Sequence, residues 1–407
     1  MAAALLILLI GLALSAPAAL AAVTSVVDKS NVLNVVSDAG DAIKVTCVSG
    51  LIKVNGGDPD SGLFACSKLA GIVVLGGPGD NAIDLSALAI GDLLPGTPIS
   101  ADGQGGNDTL TSGPYDQTLK GGDGDDVLRV KEIEGATLLD GGEGSDGYEV
   151  DFGMLAAALN ISDSGKVGFD ALTANGTPGD DSLQMDDTYL SRGTEVINFS
   201  LGSLEKATIL AGNGKDLFLL LCDRFTTEFY GGPGSDTMTV KEIGGATLLD
   251  GGEDGDGYEV DFGMLAAALN INDSGKVGFD ALTVKAPGAV RSELLQAGVW
   301  LITSAQVTDG SESMSYSGSI EQLDFVGSAG DETIQVSPSP ITAIGIKGGG
   351  HVLGDGLVVD AGGKPVTTSP GQVKVAGLQP VSYQDIQGVQ VINRGFVVYL
   401  PLVLRNP

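Results

Sequence analysis

Acidic side chains stand at one fixed place in a short glycine-rich unit that this chain repeats. Residues 121–128 and 141–148 show the unit clearly, in the form G-G-x-G-x-D-x-hydrophobic. Glycine adopts positive φ and so can form a tight corner, and the aspartate at the sixth position places a hard carboxylate oxygen there. Such an oxygen either binds a hard cation or accepts a backbone N–H bond. A chain that brings several of these corners together would gather carboxylates at one place.

The sixth position of the unit is an acid or an amide at nine places: Asn81, Asp108, Asp126, Asp146, Asp181, Asp216, Asp236, Asp256 and Glu332. Two positions later the residue is always apolar: Ile83, Leu110, Leu128, Tyr148, Leu183, Phe218, Met238, Tyr258 and Ile334. Side chains alternate along a strand, so this fixed offset turns the apolar residues to one face. One unit cannot bury that face alone and must stack on its copies. The sequence therefore predicts an all-β stack of repeated units.

The repeats resemble the RTX, or hemolysin-type, family of calcium-binding repeats, G-G-x-G-x-D-x-U-x, whose fold is a parallel β-roll. The resemblance spans roughly residues 50–360 and is strongest at 103–150 and 231–260. The family places its nonapeptides in tandem, whereas the units here begin 18 to 20 residues apart. We therefore predict a right-handed parallel β-solenoid, similar to a β-roll, with one Gly-Asp corner per coil. The resemblance implies bound Ca²⁺.

The candidate metal-binding residues follow from this stacking. Calcium takes roughly six to eight oxygen ligands from carboxylates and carbonyls, and the aspartate of one coil with backbone carbonyls of the next would enclose an ion. The candidates are a first column, Asp108, Asp126 and Asp146, and a second column, Asp216, Asp236 and Asp256, with Asp181 as a further corner and Asp123, Asp125 and Asp254 as assisting carboxylates. Lys215 would oppose a cation at Asp216. The alternative is that these aspartates only cap turns by accepting backbone N–H bonds.

The charge of the chain restricts its partners. It has 52 acidic against 21 basic residues and a net charge of −31, which argues against nucleic acid or an anionic membrane. Crowded carboxylates repel one another unless a cation neutralises them, which favours bound divalent ions. Because 43% of the residues are hydrophobic and the acids keep a fixed offset from apolar positions, the sequence does not fit a disordered acidic chain.

Both ends of the chain are apolar. Residues 2–22 end in small residues and predict a secretory signal peptide cleaved before Ala22. An N-terminal anchor is the alternative, because no Lys or Arg precedes the apolar run. No later segment approaches a membrane span, so we expect a secreted, extracellular protein, either soluble or attached to the cell surface. Residues 396–404, FVVYLPLVL, fit a capping strand, a docking strand or a sorting tail.

The three cysteines divide into a pair and a single residue. Cys47 and Cys66 are 19 residues apart, close to one coil. Stacked positions on adjacent coils would lie roughly 4.8 Å apart, within the range that a disulfide spans. In an oxidising exterior we predict a bridge between them, with two buried thiols as the alternative. Cys222 has no partner and is predicted to be a small core residue.

The central region is duplicated. Residues 130–173 recur as 240–283 at an offset of 110, with four differences: Glu134/Gly244, Gly144/Asp254, Ser145/Gly255 and Ser162/Asn272. The segment 151–160, DFGMLAAALN, has helix propensity, but it lies between alternating segments and is predicted to be extended. The predicted organisation is a signal peptide at 1–22, N-terminal coils at 23–115, the duplicated Gly-Asp coils at 116–284, degenerate C-terminal coils at 285–393 and an apolar tail at 394–407.

Catalysis is not expected from these residues, although the fold alone permits it, since parallel β-helices include polysaccharide lyases and epimerases. The single histidine, His351, lies in a glycine-rich turn, and the bases Lys131, Lys241 and Arg224 are scattered. We expect an exported, calcium-binding structural, adhesive or matrix protein of the cell surface, with extracellular polysaccharide or cell-surface proteins as candidate partners. The alternatives are a β-helical enzyme acting on acidic polysaccharide and a spacer that binds only calcium.

Overall fold

The computed structural model describes residues 23–287, 299–317, 319–350, 354–393 and 396–399. The predicted signal segment 1–22, His351 and the tail residues 400–407 lie outside these ranges. Within the described ranges the regular secondary structure is almost wholly β-strand, joined by turns. Over the same ranges, no helix has the length and apolar character that a membrane crossing requires.

The strands of the first half of the chain are β1 Val23–Val27, β2 Val32–Ser37, β3 Ala42–Val48, β4 Leu51–Val54, β5 Gly71–Leu75, β6 Ala82–Asp84, β7 Ile99–Gly105, β8 Thr109–Thr111, β9 Gln117–Asp123, β10 Val127–Val130, β11 Thr137–Glu143, β12 Gly147–Asp151, β13 Leu159–Ile161, β14 Ala171–Asn175, β15 Ser182–Asp186, β16 Tyr189–Arg192 and β17 Glu195–Phe199.

The strands of the second half are β18 Lys206–Leu210, β19 Leu217–Leu220, β20 Thr226–Pro233, β21 Thr237–Val240, β22 Thr247–Glu253, β23 Gly257–Asp261, β24 Leu269–Ile271, β25 Ala281–Lys285, β26 Val299–Ile302, β27 Gln306–Thr308, β28 Ser313–Tyr316, β29 Gln322–Val326, β30 Thr333–Val336, β31 Ala343–Lys347, β32 Gly356–Asp360, β33 Val366–Ser369, β34 Gln372–Val375, β35 Val381–Gln384, β36 Gly388–Asn393 and β37 Phe396–Tyr399.

Alternation of apolar and polar residues determines which side of each strand is buried. In β10, Leu128 and Val130 are buried, while Arg129 between them lies on the outer face. The buried apolar side chains of successive strands join into one continuous core. Full burial of one such Leu or Val is worth roughly 1.5–3 kcal/mol, so each added repeat extends the core that its neighbours need.

Two long, mainly parallel sheets contain these strands. The order in the first sheet is β1-β2-β5-β7-β9-β11-β13-β17-β16-β15-β19-β21-β23-β25-β29-β31-β35-β34-β33. The order in the second sheet is β4-β3-β6-β8-β10-β12-β14-β18-β20-β22-β24-β28-β27-β26-β30-β32-β36-β37. The chain therefore passes from one sheet to the other and returns one position further along.

The register pairs equivalent residues of successive repeats. Leu128 pairs with Leu110 on one side and with Tyr148 on the other. In the second copy, Met238 pairs with Phe218 and with Tyr258. These are the apolar residues that follow the predicted corners, so the structure confirms the spacing of 18 to 20 residues read from the sequence. Pairing also continues across the predicted boundaries at 115 and 284.

Two antiparallel meanders interrupt the parallel order. One is β15-β16-β17 in the first sheet, and the other is β26-β27-β28 in the second. Antiparallel strands also lie at both ends of the first sheet, where β1 pairs with β2 and β33 with β34. At the C-terminal end of the second sheet, β37 pairs with β36. The described part of the tail is therefore a terminal strand, one of the three options that the sequence left open.

The predicted disulfide is present, but its structural basis differs from the prediction. Cys47 and Cys66 are bonded with their Cα atoms 6.2 Å apart. They are not stacked on adjacent coils, because Cys47 lies in the β3-β4 hairpin and Cys66 begins a short 3-10 helix, Cys66–Lys68. Cys222 is half-buried, not a core residue as predicted. The segment 151–160 contains no helix, as predicted, but it is strand only at its two ends, with turns and an isolated bridge between them.

Candidate metal centre

The glycines of each corner meet two different needs. Gly122 and Gly124 have φ of +121° and +133°, a left-handed backbone that residues with a side chain rarely adopt. Gly121 is required by packing, because a Cβ there would overlap Asp126 Oδ2 and the carbonyl oxygen of Gly141 in the next repeat. The unit G-G-x-G therefore produces both the turn and the close approach of neighbouring repeats.

At most corners, the sixth-position side chain accepts a hydrogen bond from a backbone N–H of the preceding repeat. The Asp126 N–H donates to Asp146 Oδ1 at 2.8 Å, and the Asp108 N–H donates to Asp126 Oδ1 at 2.7 Å. Bonds of 2.6–3.0 Å connect the whole first column in this way: Asp41, Asn81, Asp108, Asp126, Asp146, Asp170 and Glu205. The structure thus brings the three predicted first-column aspartates into one line and adds Asp170 and Glu205 to it.

The second column is built in the same way. Its bonds are 2.7–2.9 Å long and connect Asp181, Asp216, Asp236, Asp256, Asp280 and Glu321. A shorter set near the C-terminus, Glu332, Asp355 and Gln387, repeats the pattern at corners that lead from the first sheet into the second. The Lys215 N–H donates to Asp180 Oδ1 at 2.9 Å, and Asp216 itself is fully buried.

The two columns lie on opposite sides of the molecule, each along the turns that connect one sheet to the other. Asp170 precedes β14 and Asp181 follows it, so the two residues stand at opposite ends of one strand. First-column corners lead from the first sheet into the second, and second-column corners lead from the second into the first. The columns overlap only where the first meander is inserted.

A second series of hydrogen bonds lies beside the first column, on its solvent-facing side. In this series the acceptor belongs to the preceding repeat and the donor to the following one. Here the fifth-position side chain accepts the N–H of the following repeat at 2.8–3.1 Å, in the series Asp80, Asn107, Asp125 and Ser145. Asp125 is therefore an exposed cap on the Ser145 N–H. Turn capping, the alternative drawn from the sequence, thus accounts for the fifth-position acids and for the Oδ1 atoms of the columns.

The other carboxylate oxygen of the columns has no such partner. Oδ2 is fully buried and without a hydrogen-bond partner within the described part of the chain in six residues: Asp108, Asp126, Asp146, Asp216, Asp236 and Asp256. Asn81 shows what this position needs, because its Nδ2 donates to the carbonyl oxygens of Gly77 at 3.3 Å and Gly103 at 3.5 Å. A carboxylate oxygen facing carbonyl oxygens requires either a proton or a cation.

Burial makes the charged form of these carboxyls costly. It raises the pKa of Asp126 and of Asp236 to about 7, and neighbouring carboxylates of the same column add to the effect. Burial likewise raises the pKa of Asp256 to about 8, with Asp236, Asp273 and Asp280 contributing. A cation would remove this penalty by supplying the opposite charge.

Two groups of three carboxylates could hold a metal ion. Asp146, Asp163 and Asp170 form one group, and Asp256, Asp273 and Asp280 form the other. Each residue offers one oxygen, and the three oxygens of a group lie within 4.8 Å of one another. The groups are equivalent, since their positions differ by the 110 residues of the duplication.

A tyrosine closes each group from the core side. The Tyr148 hydroxyl accepts the Gly141 N–H at 2.9 Å, and the Tyr258 hydroxyl accepts the Gly251 N–H at 2.7 Å. Tyr258 also donates to Asp273 Oδ2 at 2.9 Å. Burial, followed by the charge of the nearby carboxylates, raises the pKa of both phenols, so each remains a neutral hydroxyl.

Sequence reasoning identified Asp146 and Asp256 but missed the other four residues of the two groups. Asp170 ends the segment G-K-V-G-F-D, a unit whose second glycine is replaced by lysine, and this signal could have identified it. Asp163 and Asp273 lie outside any unit. Their only sequence signal is that both copies of the duplication keep an aspartate at this position.

The remaining predicted residues lie elsewhere. Asp123 and Asp254 are exposed on the outside of their corners. Asp181 begins the second column, but Arg192 pairs with its carboxylate and already supplies a positive charge. Of the bases weighed for a lyase, Lys241 pairs with Glu259 and Asp261, and Arg224 with Asp187.

The chain matches no protein-family model and none of the curated proteins.

Proposed function

We propose that this chain is an exported, non-enzymatic, right-handed parallel β-solenoid that binds calcium ions along its aspartate columns. In this role it acts as a structural or adhesive element at the cell surface or in an extracellular matrix. Parallel pairing of equivalent residues at one repeat spacing supports the solenoid. The all-oxygen character of the columns supports a hard cation.

One observation carries the proposal: the six buried Oδ2 atoms without a hydrogen-bond partner in the described part of the chain, of which those of Asp108, Asp126 and Asp236 lie beside a carbonyl oxygen of the next repeat. An ionised carboxylate buried without a partner is costly, and six of them in two lines would repel one another. Calcium accepts carboxylate and carbonyl oxygens in a flexible geometry, whereas magnesium requires a tighter octahedron and keeps its water. Bound calcium would therefore convert the columns from a source of repulsion into links between repeats.

The disulfide supports export, because such bonds persist in oxidising compartments. The outer faces of the sheets carry ion pairs such as Arg129 with Glu149 and Lys206 with Glu228. A regular, polar surface of this kind is suited to a scaffold protein that binds partners at several places along its sheets.

The test is thermal unfolding of the chain without residues 1–22, monitored by far-UV circular dichroism. It is measured in three buffers, one with chelator, one with calcium and one with magnesium. We expect calcium to raise the melting temperature and magnesium to raise it much less. Each ion bound only by the folded chain adds about 2.7 kcal/mol at a hundredfold excess over Kd. Asp126→Asn should reduce the response, while Asp123→Asn, at an exposed carboxylate, should leave it unchanged. A melting temperature that is the same in chelator and in calcium would reject the proposal.

A further inference from the structure

We propose that Asp146, Asp163 and Asp170 hold one tightly bound divalent cation and that Asp256, Asp273 and Asp280 hold a second, equivalent one. This inference rests on the calcium-binding function proposed above and locates its strongest sites. Each site takes two carboxylates from adjacent corners of a column and a third from outside the repeated unit.

The third carboxylate distinguishes these two places from the other corners within the described ranges. Asp163 lies just after β13, in a segment that is longer than the ordinary link between strand and corner. Its backbone N–H donates to Ser203 Oγ at 3.3 Å, and its Oδ1 accepts the Gly142 N–H at 3.1 Å. In the second copy, the Asp273 N–H donates to Ser317 Oγ at 3.2 Å. Both copies therefore fix the added aspartate by the same backbone contact.

An unpartnered oxygen faces each group. Asp146 and Asp256 are each 2% exposed, and their Oδ2 atoms have no hydrogen-bond partner among the residues that the structure describes. In the second copy, a Cβ placed on Gly251 would lie 2.6 Å from the Tyr258 hydroxyl and would overlap Asp256 Oδ2. That oxygen therefore lies on the side of Tyr258, whose hydroxyl donates to Asp273. The buried oxygen thus faces the other acids of its group.

The chemistry of the groups selects the ligand class. Three carboxylates supply three negative charges and only oxygen ligands, the set that calcium and other hard cations prefer. Oxygens within 4.8 Å of one another can share one ion whose bonds are roughly 2.3–2.6 Å long. Soft metals, which favour sulfur and nitrogen, have no such ligand in either group.

The tyrosines supply a direct readout. Tb³⁺ occupies oxygen-rich calcium sites, and its emission can be excited through a nearby tyrosine ring. Tyr148 and Tyr258 border the two groups, so Tb³⁺ bound there should emit on excitation of the protein. Titration with Tb³⁺ should saturate at two tightly bound ions per chain, and calcium should displace them.

Asp163→Asn and Asp273→Asn test the sites separately. Each substitution should halve the sensitised emission and reduce the number of tight ions from two to one, and the double substitution should abolish both. Asp123→Asn is the matched control at an exposed acid, and circular dichroism of each variant shows that it is folded. If one variant does not fold, the other still reports its own site against the wild type.

Two results would overturn the inference, and they differ in what else they affect. If Asp163→Asn and Asp273→Asn keep both ions while Asp126→Asn loses one, the ions bind at ordinary corners, and only the present inference fails. If neither calcium nor Tb³⁺ binds the folded chain, the calcium-binding function fails as well.

Discussion

Single atoms decide whether a corner needs a cation. Asn81 and Asp126 occupy the same place in the first column, and both accept a backbone N–H through their side-chain oxygen. They differ at the other atom, where Asn81 presents an N–H donor and Asp126 a buried oxygen without a partner in the described chain. At the Asn81 corner the side-chain hydrogen bonds are therefore complete, whereas at the Asp126 corner the buried Oδ2 atom still requires a positive charge.

Asp126→Asn should therefore stabilise the chelated chain while weakening its response to calcium. The new amide can donate to the Gly141 carbonyl oxygen, which lies beside Asp126 Oδ2. A gain of about 1–2 kcal/mol is expected from satisfying this buried polar position. Urea denaturation in chelator and in calcium measures both effects. A loss of stability in chelator would show that Oδ2 is already satisfied.

Gly121, the first glycine of its corner, should tolerate no side chain. Gly121→Ala places a Cβ against Asp126 Oδ2 and the Gly141 carbonyl oxygen, and such overpacking typically costs roughly 1–3 kcal/mol. Gly179→Ala is the control, because a Cβ there meets no atom within 4 Å and its φ is not left-handed. The melting temperatures of the two variants should separate clearly. Equal values would mean that the repeats can move apart at no cost.

Glu332 predicts a pH dependence of stability with a definite sign. Burial raises the pKa of its carboxyl to about 7, and Asp355 adds to the effect while a hydrogen bond from Ser328 opposes it. Because the folded pKa lies above the unfolded value, this stability is fully present below about pH 4.5 and is lost as the pH rises through about 7. Glu332→Gln should remove that loss, worth about 2 kcal/mol. Denaturation in chelator at about pH 5 and about pH 8 measures it. A slope that the substitution leaves unchanged would assign the effect to other groups.

At the scale of elements, the sequence predicted the strands well because one rule governs them. The apolar residue lies two positions after each corner aspartate, and this fixed distance determines which face of the strand it occupies. Residues such as Leu128 and Phe218 therefore predict both the position of a strand and its buried face. The meanders could not be predicted in the same way. Their alternating strands resemble the others, and only the pairing of Leu190 with Ile197 reveals that the chain turns back.

The disulfide shows the same limit. The spacing of 19 residues matched one coil, and the bond is present, but Cys47 lies in a hairpin and Cys66 begins a short helix instead. A spacing fixes how far the chain can reach, and it does not fix the path that the chain takes. The correct pairing therefore followed from a geometry that the structure does not contain.

Glu195 should be the residue that holds the first meander in place. Its carboxylate accepts the N–H groups of Gly153 and Leu155 at 2.8–3.0 Å and pairs with Arg192. Glu195→Gln replaces one acceptor oxygen with a donor, so we expect a loss of about 1–3 kcal/mol. Glu134→Gln, at an exposed side chain of the same region, is the control. Hydrogen exchange at Gly153 and Leu155 should quicken only in the first variant, and unchanged protection would reject the anchoring role.

At the scale of the whole molecule, the duplication explains why two sites are equivalent and why sequence reasoning identified only part of each. Asp146 and Asp256 belong to the repeated unit, whereas Asp163 and Asp273 come from the segment that follows β13 and β24. Their proximity depends on how that segment folds back over the corner. A repeat pattern describes what recurs along the chain, and it cannot place a residue that stands outside the repeat.

The net charge of −31 gives a final prediction that separates ion binding from screening. Self-repulsion of so acidic a chain weakens as the Debye length falls to about 10 Å at 0.1 M salt. With chelator present, the melting temperature should therefore be higher in about 0.2 M sodium chloride than in about 0.02 M sodium chloride. Salt screens exposed acids such as Asp123 far more than the two groups of three carboxylates, in which every aspartate except the half-buried Asp163 is buried. Calcium in place of the chelator should therefore add a further increase at the higher salt. Magnesium at the same concentration contributes the same ionic strength and should add little. If magnesium and calcium raised the melting temperature equally in high salt, screening alone would explain the effect of calcium.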